Sequence, residues 1–70
     1  MPTGHTIKRT MTAFRRGLLR RMSAGSGIDQ RTLSANERRQ ANDLCHFGWA
    51  DQQNGRYLAT DAGRVAAGIQ

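Results

Sequence analysis

A chain of 70 residues, of which 37% are hydrophobic, is long enough for one small domain and too apolar for a disordered protein. Such a short chain buries only about 60% of its unfolded surface, which leaves little volume for an active site beside the core. The formal net charge of +6 excludes a preference for basic partners and favours polyanions. Lys8 is the one lysine among eleven cationic side chains, and the planar donors of arginine suit phosphate and carboxylate groups, although a GC-rich genome would also supply arginine.

The cysteine content and the N-terminus bear on localisation. Cys45 is the only cysteine, so no intramolecular disulfide forms, which is typical of a protein in a reducing compartment. The N-terminus has no apolar run behind its charges, and no stretch approaches the roughly 18 apolar residues of a membrane span. We therefore expect a soluble cytoplasmic protein that does not associate with membranes. The start at Met1 without a recognisable tag suggests a complete small protein.

The first predicted element is a helix from Thr6 to Met22, with Thr6 as its N-cap. Residues 1–5 are expected to form a flexible tail, and residues 6–70 a single domain. Apolar residues recur in the helix at spacings of four, three, four and four, which places them on one stripe. This buried stripe is predicted to consist of Ile7, Met11, Phe14, Leu18 and Met22. Leu19 lies off the stripe and is expected to touch a neighbouring element or a partner. Arginines cover the other side of the helix: Arg9, Arg16 and Arg20 lie opposite the stripe, and Arg15 and Arg21 flank these three on the solvated side.

A break and a short connecting segment follow the first helix. Residues 23–27 read SAGSG, a composition that ends helices. Residues 28–33 are too few for an independent helix and allow at most one turn, with Ile28 and Leu33 expected in the core.

The next helix has the strongest start signal in the chain. Ser34 is followed three residues later by Glu37, which is the pattern of a capping box. We expect a helix over residues 35–47, ended by Gly48 at the C′ position. Its buried face is predicted to consist of Ala41, Leu44 and Cys45.

A β-hairpin is predicted next. Residues 49–52 and 56–59 read as short strands on either side of the dipeptide Asn54-Gly55. Asn-Gly adopts positive φ at low cost, so a type I′ turn is expected.

A short last helix is predicted from Asp61 to Gly68. Thr60 is its expected N-cap, and the Asp61 carboxylate in its first turn suits the helix dipole. The side chains expected to pack inward are Val65, Ala66 and Ile69.

This order of elements resembles the winged helix-turn-helix family of bacterial and phage regulators over residues 34–66. The family often combines a helix that runs into a glycine and an apolar strand with a turn, a second strand and a Thr-x-x-Gly-Arg sequence. The matching residues are Leu44, Phe47, Gly48, Trp49 and Ala50, then Asn54-Gly55, Tyr57, and Thr60 with Gly63-Arg64. The expected fold is α+β, a small winged-helix-like domain with two to three helices, a C-terminal β-hairpin as the wing and a short final helix.

The sequence departs from the family pattern in two places. The helix that should precede the recognition helix is missing or cut to one turn within residues 28–33, which puts the usual backbone clamp in doubt. The second wing strand reads Tyr57-Leu58-Ala59-Thr60, where the family often has an aromatic, a polar residue, leucine and threonine.

The resemblance implies a small basic DNA-binding protein, a phage or bacterial transcriptional regulator or accessory factor that binds double-stranded DNA. In the recognition helix, Arg39 is expected at a guanine edge, Asn36 or Gln40 at adenine, and Arg38 at a phosphate. Asp43 on the same face argues against close phosphate contact there. The candidate binding residues are Asn36, Arg38, Arg39, Gln40 and His46 in the helix, Asn54 and Arg56 in the wing, and Arg16 and Arg20 in the first helix. The same polar residues are also what a solvated helix face would carry.

A second copy of the chain could supply burial that so short a domain lacks, so a homodimer is compatible with the DNA-binding role. Two other binding roles remain open. A small phage or plasmid adaptor or inhibitor would bind a protein partner through an exposed apolar patch. That patch would consist of Leu19, Phe47, Trp49 and Tyr57. An RNA-binding protein would stack bases on Tyr57 or Trp49.

Catalysis, a metal and a cofactor are not expected. Cys45 and His46 are neighbours on a helix and point about 100° apart, so they do not face each other. His5, Cys45 and His46 do not supply the roughly four ligands of a metal site. The sequence contains no glycine-rich phosphate loop between a strand and a helix.

Overall fold

The computed structural model describes residues 9–69 of the chain. The predicted tail at residues 1–5, the predicted N-cap Thr6 and the side chain of Ile7 lie outside the described residues. The elements are α1 (Ala13–Ser23), β1 (Ile28–Asp29), a 3₁₀ turn (Gln30–Thr32), α2 (Ala35–His46), β2 (Ala50–Gln53), β3 (Arg56–Ala59) and α3 (Asp61–Ala66). Within residues 9–69 the three α-helices and the three-stranded antiparallel sheet form a small α+β domain, consistent with the predicted winged-helix-like fold. No helix in this range is long and apolar enough to cross a membrane.

Helix α1 begins later than predicted, and it buries Leu18 and Met22 as predicted but turns Arg15 and Leu19 to the core in place of Phe14. The Thr12 side chain caps it by accepting from the Arg15 amide at 3.1 Å. Its buried residues are Arg15, Leu18, Leu19 and Met22. Phe14 is 43% exposed, so its predicted place in the core is wrong, whereas Leu19 is fully buried against neighbouring elements. These four residues share one side of a helix, just as the predicted stripe does, so the sequence spacing is compatible with either side. The fold buries the side that carries Arg15 and Leu19.

The segment after α1 contains a strand that the sequence did not indicate. Strand β1 pairs antiparallel with β3 through Ile28 opposite Tyr57, and the 3₁₀ turn follows it directly. Ile28 and Leu33 are buried, as predicted. Gly27 leads into β1 with φ +90°, and a Cβ there would overlap the carbonyl oxygen of Tyr57. Glycine at this position therefore allows the backbone of β1 to approach β3 closely.

Helix α2 has the predicted capping box. The Ser34 hydroxyl accepts from the Glu37 amide at 3.1 Å, and a Glu37 carboxylate oxygen accepts from the Ser34 amide at 2.9 Å. The helix ends at His46, one residue earlier than predicted, and Gly48 follows with φ +80°. Its buried residues are Ala41 and Leu44, while Cys45 is only partly buried.

The hairpin is confirmed: β3 has the predicted bounds, and β2 lies one residue later than the predicted 49–52. Asn54 has φ +53° and Gly55 has φ +75°, the two positive values that a type I′ turn requires. The strand order is β1-β3-β2, so β3 is the central strand. Tyr57 in its middle is 1% exposed and is the largest fully buried side chain among residues 9–69.

Helix α3 packs through its smallest residue. The Thr60 hydroxyl accepts from the Gly63 amide at 3.0 Å and donates to the carbonyl oxygen of Gly48 at 2.6 Å. Gly63 lies against the backbone of Trp49, and Ala67, one turn later, is also buried. Val65 points the other way and is 78% exposed, so its predicted inward packing is wrong, while Ala66 and Ile69 are partly buried as members of the core edge.

The two helical glycines are expected to respond in opposite ways to alanine substitution. In Gly63→Ala the new Cβ would overlap the Trp49 carbonyl oxygen, so α3 must shift. The free energy of unfolding should therefore fall by about 1–3 kcal/mol. In Gly17→Ala the new Cβ meets nothing within 4 Å, so the variant should gain about 0.5–1 kcal/mol from helix propensity. Urea unfolding followed by circular dichroism measures both. A neutral Gly63→Ala would contradict the packing of α3 on Trp49.

Candidate nucleic-acid interface

The outward face of α2 is an uncovered polar stripe. Side chains at spacings of three and four residues line a shallow depression along it, and this spacing places them on one side of a helix. We call this set the α2 face; it consists of Ala35, Arg38, Arg39, Asn42, Asp43 and His46. All of these except the partly buried Asp43 are exposed.

One flank of the α2 face is joined to α1 by a buried arginine. Arg15 is 8% exposed, and its Nε donates to Gln40 Oε1 at 3.0 Å. Its Nη1 donates to the Thr10 carbonyl oxygen at 2.7 Å, and its Nη2 lies 3.9 Å from Asp43 Oδ2. The guanidinium also lies over the Phe47 ring, 5.0 Å from the centroid. The sequence placed Arg15 on the solvated flank of α1; instead it sets a positive charge beside the carboxylate of the α2 face.

The other flank is joined to the sheet by a tyrosine. The Tyr57 hydroxyl donates to Asn42 Oδ1 at 2.6 Å. Burial raises the pKa of Tyr57, the nearby Cys45 thiol adds to this, and the positive charge of Arg38 opposes it. The phenol therefore keeps its proton at neutral pH and is available to donate. Asn42 was missed in the sequence, although its position four residues after Arg38 would have placed it on the same face.

Of the five candidate residues of α2, three lie on the α2 face and two lie elsewhere on the helix. Arg38, Arg39 and His46 are exposed on the α2 face together with Asn42. Gln40 is half-buried on the side facing α1, with its amide oxygen held by Arg15. Asn36 is exposed, and it lies about 120° around the helix axis from Asn42.

The candidate residues of the wing point in different directions. Asn54 is exposed at the tip of the hairpin. Arg56 is half-buried, and its Nε donates to the Ser26 carbonyl oxygen at 3.2 Å, so its guanidinium lies toward the segment after α1. At the edge of the hairpin, Gln52 Nε2 donates to Gln30 Oε1 at 2.7 Å, which ties the wing to the 3₁₀ turn.

The two candidate arginines of α1 lie on the side remote from α2. Arg15 and Arg21 both contact α2, the second through a 2.9 Å ion pair with Glu37. Arg16 and Arg20 are exposed, and helical geometry turns them about 100° and 140° from Arg15, away from the Arg21 side. Arg16 and Arg20 are therefore separate from the α2 face.

Arg31 and Asp29 neutralise each other beside the sheet. Arg31 Nη2 lies 2.9 Å from Asp29 Oδ2, and the hydrogen bond from this side chain lowers the pKa of Asp29 to about 2. The same contact raises the pKa of Arg31. Both groups are thus charged at neutral pH, and the pair adds no net charge to the surface near the 3₁₀ turn.

The surroundings of Cys45 disfavour its reactive thiolate form. Burial and the nearby Asp51 carboxylate raise the pKa of Cys45, which keeps the thiol protonated at neutral pH. Among residues 9–69 no group of three or more His, Cys, Asp and Glu side chains is arranged to hold a metal ion. His5 lies outside the described residues.

The aromatic surface expected for a protein partner or for RNA stacking is not exposed. Leu19, Trp49 and Tyr57 are buried in the core, and Phe47 is partly buried with its ring edge on Trp49, 5.3 Å between centroids. The predicted apolar patch is therefore wrong, and so is the prediction of base stacking on Tyr57 or Trp49. Arg9 also covers Trp49, with its guanidinium carbon 5.1 Å from the ring centroid.

Comparisons with known proteins give no relative: no family model matches the sequence, and no curated protein or solved structure matches it significantly.

Replacing Arg15 by methionine should destabilise the domain. Methionine keeps much of the apolar volume, but it leaves Gln40 Oε1, the Thr10 carbonyl oxygen and the Asp43 carboxylate without this donor. We expect a loss of about 1–3 kcal/mol in the free energy of unfolding. The matched control is Arg16→Met, which removes the same charge from an exposed neighbour and should change stability by less than about 0.5 kcal/mol. Equal effects in urea unfolding would show that the Arg15 contacts add nothing to stability.

Proposed function

We propose that this chain is a small basic winged-helix-like protein that binds double-stranded DNA with α2 in the major groove. A role as a phage or bacterial transcriptional regulator or accessory factor follows from the resemblance of residues 34–66. The observation that carries the proposal is the α2 face itself. It is the outer side of a well-capped helix, it is left uncovered by the rest of the domain, and two arginines and an asparagine project from it.

The dimensions of α2 suit the groove. An α-helix with side chains is about 10–12 Å across, and the major groove of B-DNA is about 12 Å wide. The 12 residues of α2 extend roughly 18 Å, enough to span several base pairs. Arg38 lies on the sheet side of the face, where it suits a phosphate, and Arg39 lies nearer the centre, where it suits a guanine edge.

The charge on the face is compatible with phosphate. The carboxylate of Asp43 would repel DNA, but the guanidinium of Arg15 lies 3.9 Å from it and is itself buried against α2. Exposed cations outside the face, among them Arg16 and Arg20 on α1, raise the long-range potential of a domain with net charge +6 without touching the same groove.

The wing is held beside the same face. The hydrogen bond from Tyr57 to Asn42 joins β3 to α2, and Asn54 lies at the exposed tip of the hairpin that β3 completes. In this proposal Asn54 contacts the backbone next to the groove that α2 occupies. Arg56, next to the turn, ties the wing to the segment after α1 through its bond to the Ser26 carbonyl oxygen.

Fluorescence anisotropy with a labelled random duplex of about 20 base pairs tests the proposal at low and near-physiological salt. The folded protein should bind at micromolar concentration or tighter at low salt and lose affinity steeply as salt rises. Arg38→Ala should weaken binding to all sequences and reduce the salt slope by about 1, because one phosphate contact is lost. Arg64→Ala removes the same charge from the exposed side of α3 and should leave most of the slope in place.

Absence of binding at low salt by the folded protein would overturn the DNA-binding proposal. A pull-down for a protein partner would then be the next measurement. Equal losses in Arg38→Ala and Arg64→Ala would reject the α2 face as the contact surface while leaving a non-specific attraction to DNA.

A further inference from the structure

The solvent side of α1 carries a strip of small and basic residues. Positions 13, 16, 17 and 20 share one side of a helix, and all four residues are exposed. We call this set the α1 strip; it consists of Ala13, Arg16, Gly17 and Arg20. Arg15, which contacts α2, lies about 100–160° around the helix axis from each of them. The α1 strip therefore points away from α2 and is separate from the α2 face.

The two arginines of the α1 strip differ from the other two in the helix. Arg15 and Arg21 each contact an acidic residue of α2. The guanidinium groups of Arg16 and Arg20 have no ion pair and no hydrogen bond within residues 9–69. Helix α1 itself contains no aspartate or glutamate. The positive charges of the strip are therefore available to an external anion.

The composition of the α1 strip lowers the stability of the helix that carries it. Arg16 and Arg20 are four residues apart, a spacing at which like charges on a helix repel each other. Gly17 between them weakens the helix relative to alanine, although a Cβ at this position would meet nothing within 4 Å. Residues that oppose local stability on an exposed surface are expected where the side chains serve binding.

The α1 strip suits a phosphate backbone better than a protein surface. Protein interfaces are built around large buried side chains, and Ala13 and Gly17 offer almost no apolar area. Phe14 is exposed, but it lies about 120–160° around the axis from the two arginines. Arg16 and Arg20 lie roughly 6 Å apart along the axis, and each planar guanidinium can donate two hydrogen bonds to one phosphate. A polyanion with closely spaced phosphates satisfies both arginines together.

One α1 strip alone would bind DNA weakly. A site that neutralises two phosphates loses about tenfold in affinity between about 50 and 200 mM salt. Several proteins bound side by side on one duplex through their α2 faces would present several strips. A second duplex that contacts all of these strips is bound multivalently, which raises its affinity without any further contact in the single protein.

We propose that the α1 strip is a second polyanion-binding surface, and that proteins bound to one DNA duplex through the α2 face hold a neighbouring duplex through Arg16 and Arg20. The inference rests on the proposed DNA-binding function and adds a bridging activity to it. The strip points away from α2, so the two duplexes occupy different sides of the domain. A monomer with two such surfaces bridges DNA without forming a dimer.

Capture of one duplex by another tests the bridge. A biotin-labelled duplex of about 60 base pairs, long enough for several proteins, is held on streptavidin beads, and a fluorescent duplex of the same length is added with the protein. The intact protein should retain the fluorescent duplex on the beads at about 50 mM salt and release it as salt rises to about 200 mM. Beads without protein give the background.

Substitutions in the α1 strip separate bridging from binding. The double variant Arg16→Gln/Arg20→Gln should bind a single duplex within about fivefold of the intact protein, because the α2 face is unchanged and only long-range attraction is reduced. Its capture of the second duplex should fall to background. The double variant Arg16→Lys/Arg20→Lys keeps both charges and should retain most of the capture.

A matched pair of single variants controls for the loss of charge. Arg20→Gln and Arg31→Gln each remove one exposed cation, the first from the strip and the second from the 3₁₀ turn. At equal occupancy of a single duplex, Arg20→Gln should reduce capture and Arg31→Gln should leave it unchanged.

The results distinguish this inference from the proposed function. Full capture by Arg16→Gln/Arg20→Gln would overturn the role of the α1 strip and point to a dimer as the bridge. Saturation of one duplex by the intact protein with no capture of a second would also overturn it, and DNA binding through the α2 face would stand. Failure of the intact protein to bind any duplex at low salt would remove both proposals.

Discussion

Tyr57 connects three parts of this small domain. Its backbone lies in the central strand, opposite Ile28 on one side and Gln52 on the other, so Tyr57 takes part in both strand pairings. Its ring is the largest fully buried side chain among residues 9–69. Its hydroxyl reaches Asn42 on the outer side of α2. A single residue thus holds the sheet, fills the core and sets the geometry of the candidate interface.

The segment from Gly48 to Gly63 is closed by contacts between its two ends. The Thr60 amide donates to the Trp49 carbonyl oxygen at 3.0 Å, and the Thr60 hydroxyl donates to the carbonyl oxygen of Gly48. Gly63 then lets α3 lie directly on the Trp49 backbone. The threonine and the glycine of the Thr-x-x-Gly-Arg sequence therefore have a packing reason here: they close the base of the hairpin. The wing projects from a fixed base, and its turn is held as well, because the Gly55 carbonyl oxygen accepts from the Gln30 amide at 3.0 Å.

Local signals explain what could be predicted from the sequence. The capping box at Ser34, the positive φ at Gly48 and the Asn54-Gly55 turn depend on neighbouring residues alone, and each was predicted. Strand β1 is two residues long and exists only because β3, nearly 30 positions later, pairs with it. The prediction for α1 was right at Leu18 and Met22 and wrong at Phe14 for a related reason, since the burial of Arg15 instead of Phe14 depends on acceptors in α2.

In the candidate interface, too, local features could be predicted and contacts between distant residues could not. The exposure of Arg38, Arg39 and His46 followed from the position of the helix. The role of Asn42 and the orientation of both amides did not, because their partners, Tyr57 and Arg15, are 15 and 25 positions away. Sequence patterns name the residue types on a helix face, but tertiary contacts decide which of their atoms point outward.

The distribution of charge limits what electrostatics can contribute to a DNA-binding role. Ion pairs with Asp29, Glu37 and Asp43 engage three of the arginines. Two more lie on the remote side of α1, and the α2 face itself carries two. Each phosphate that is neutralised contributes about one unit to the salt dependence of binding. A single domain that neutralises few phosphates gains only modest non-specific affinity, so the choice between sites falls mainly to base contacts.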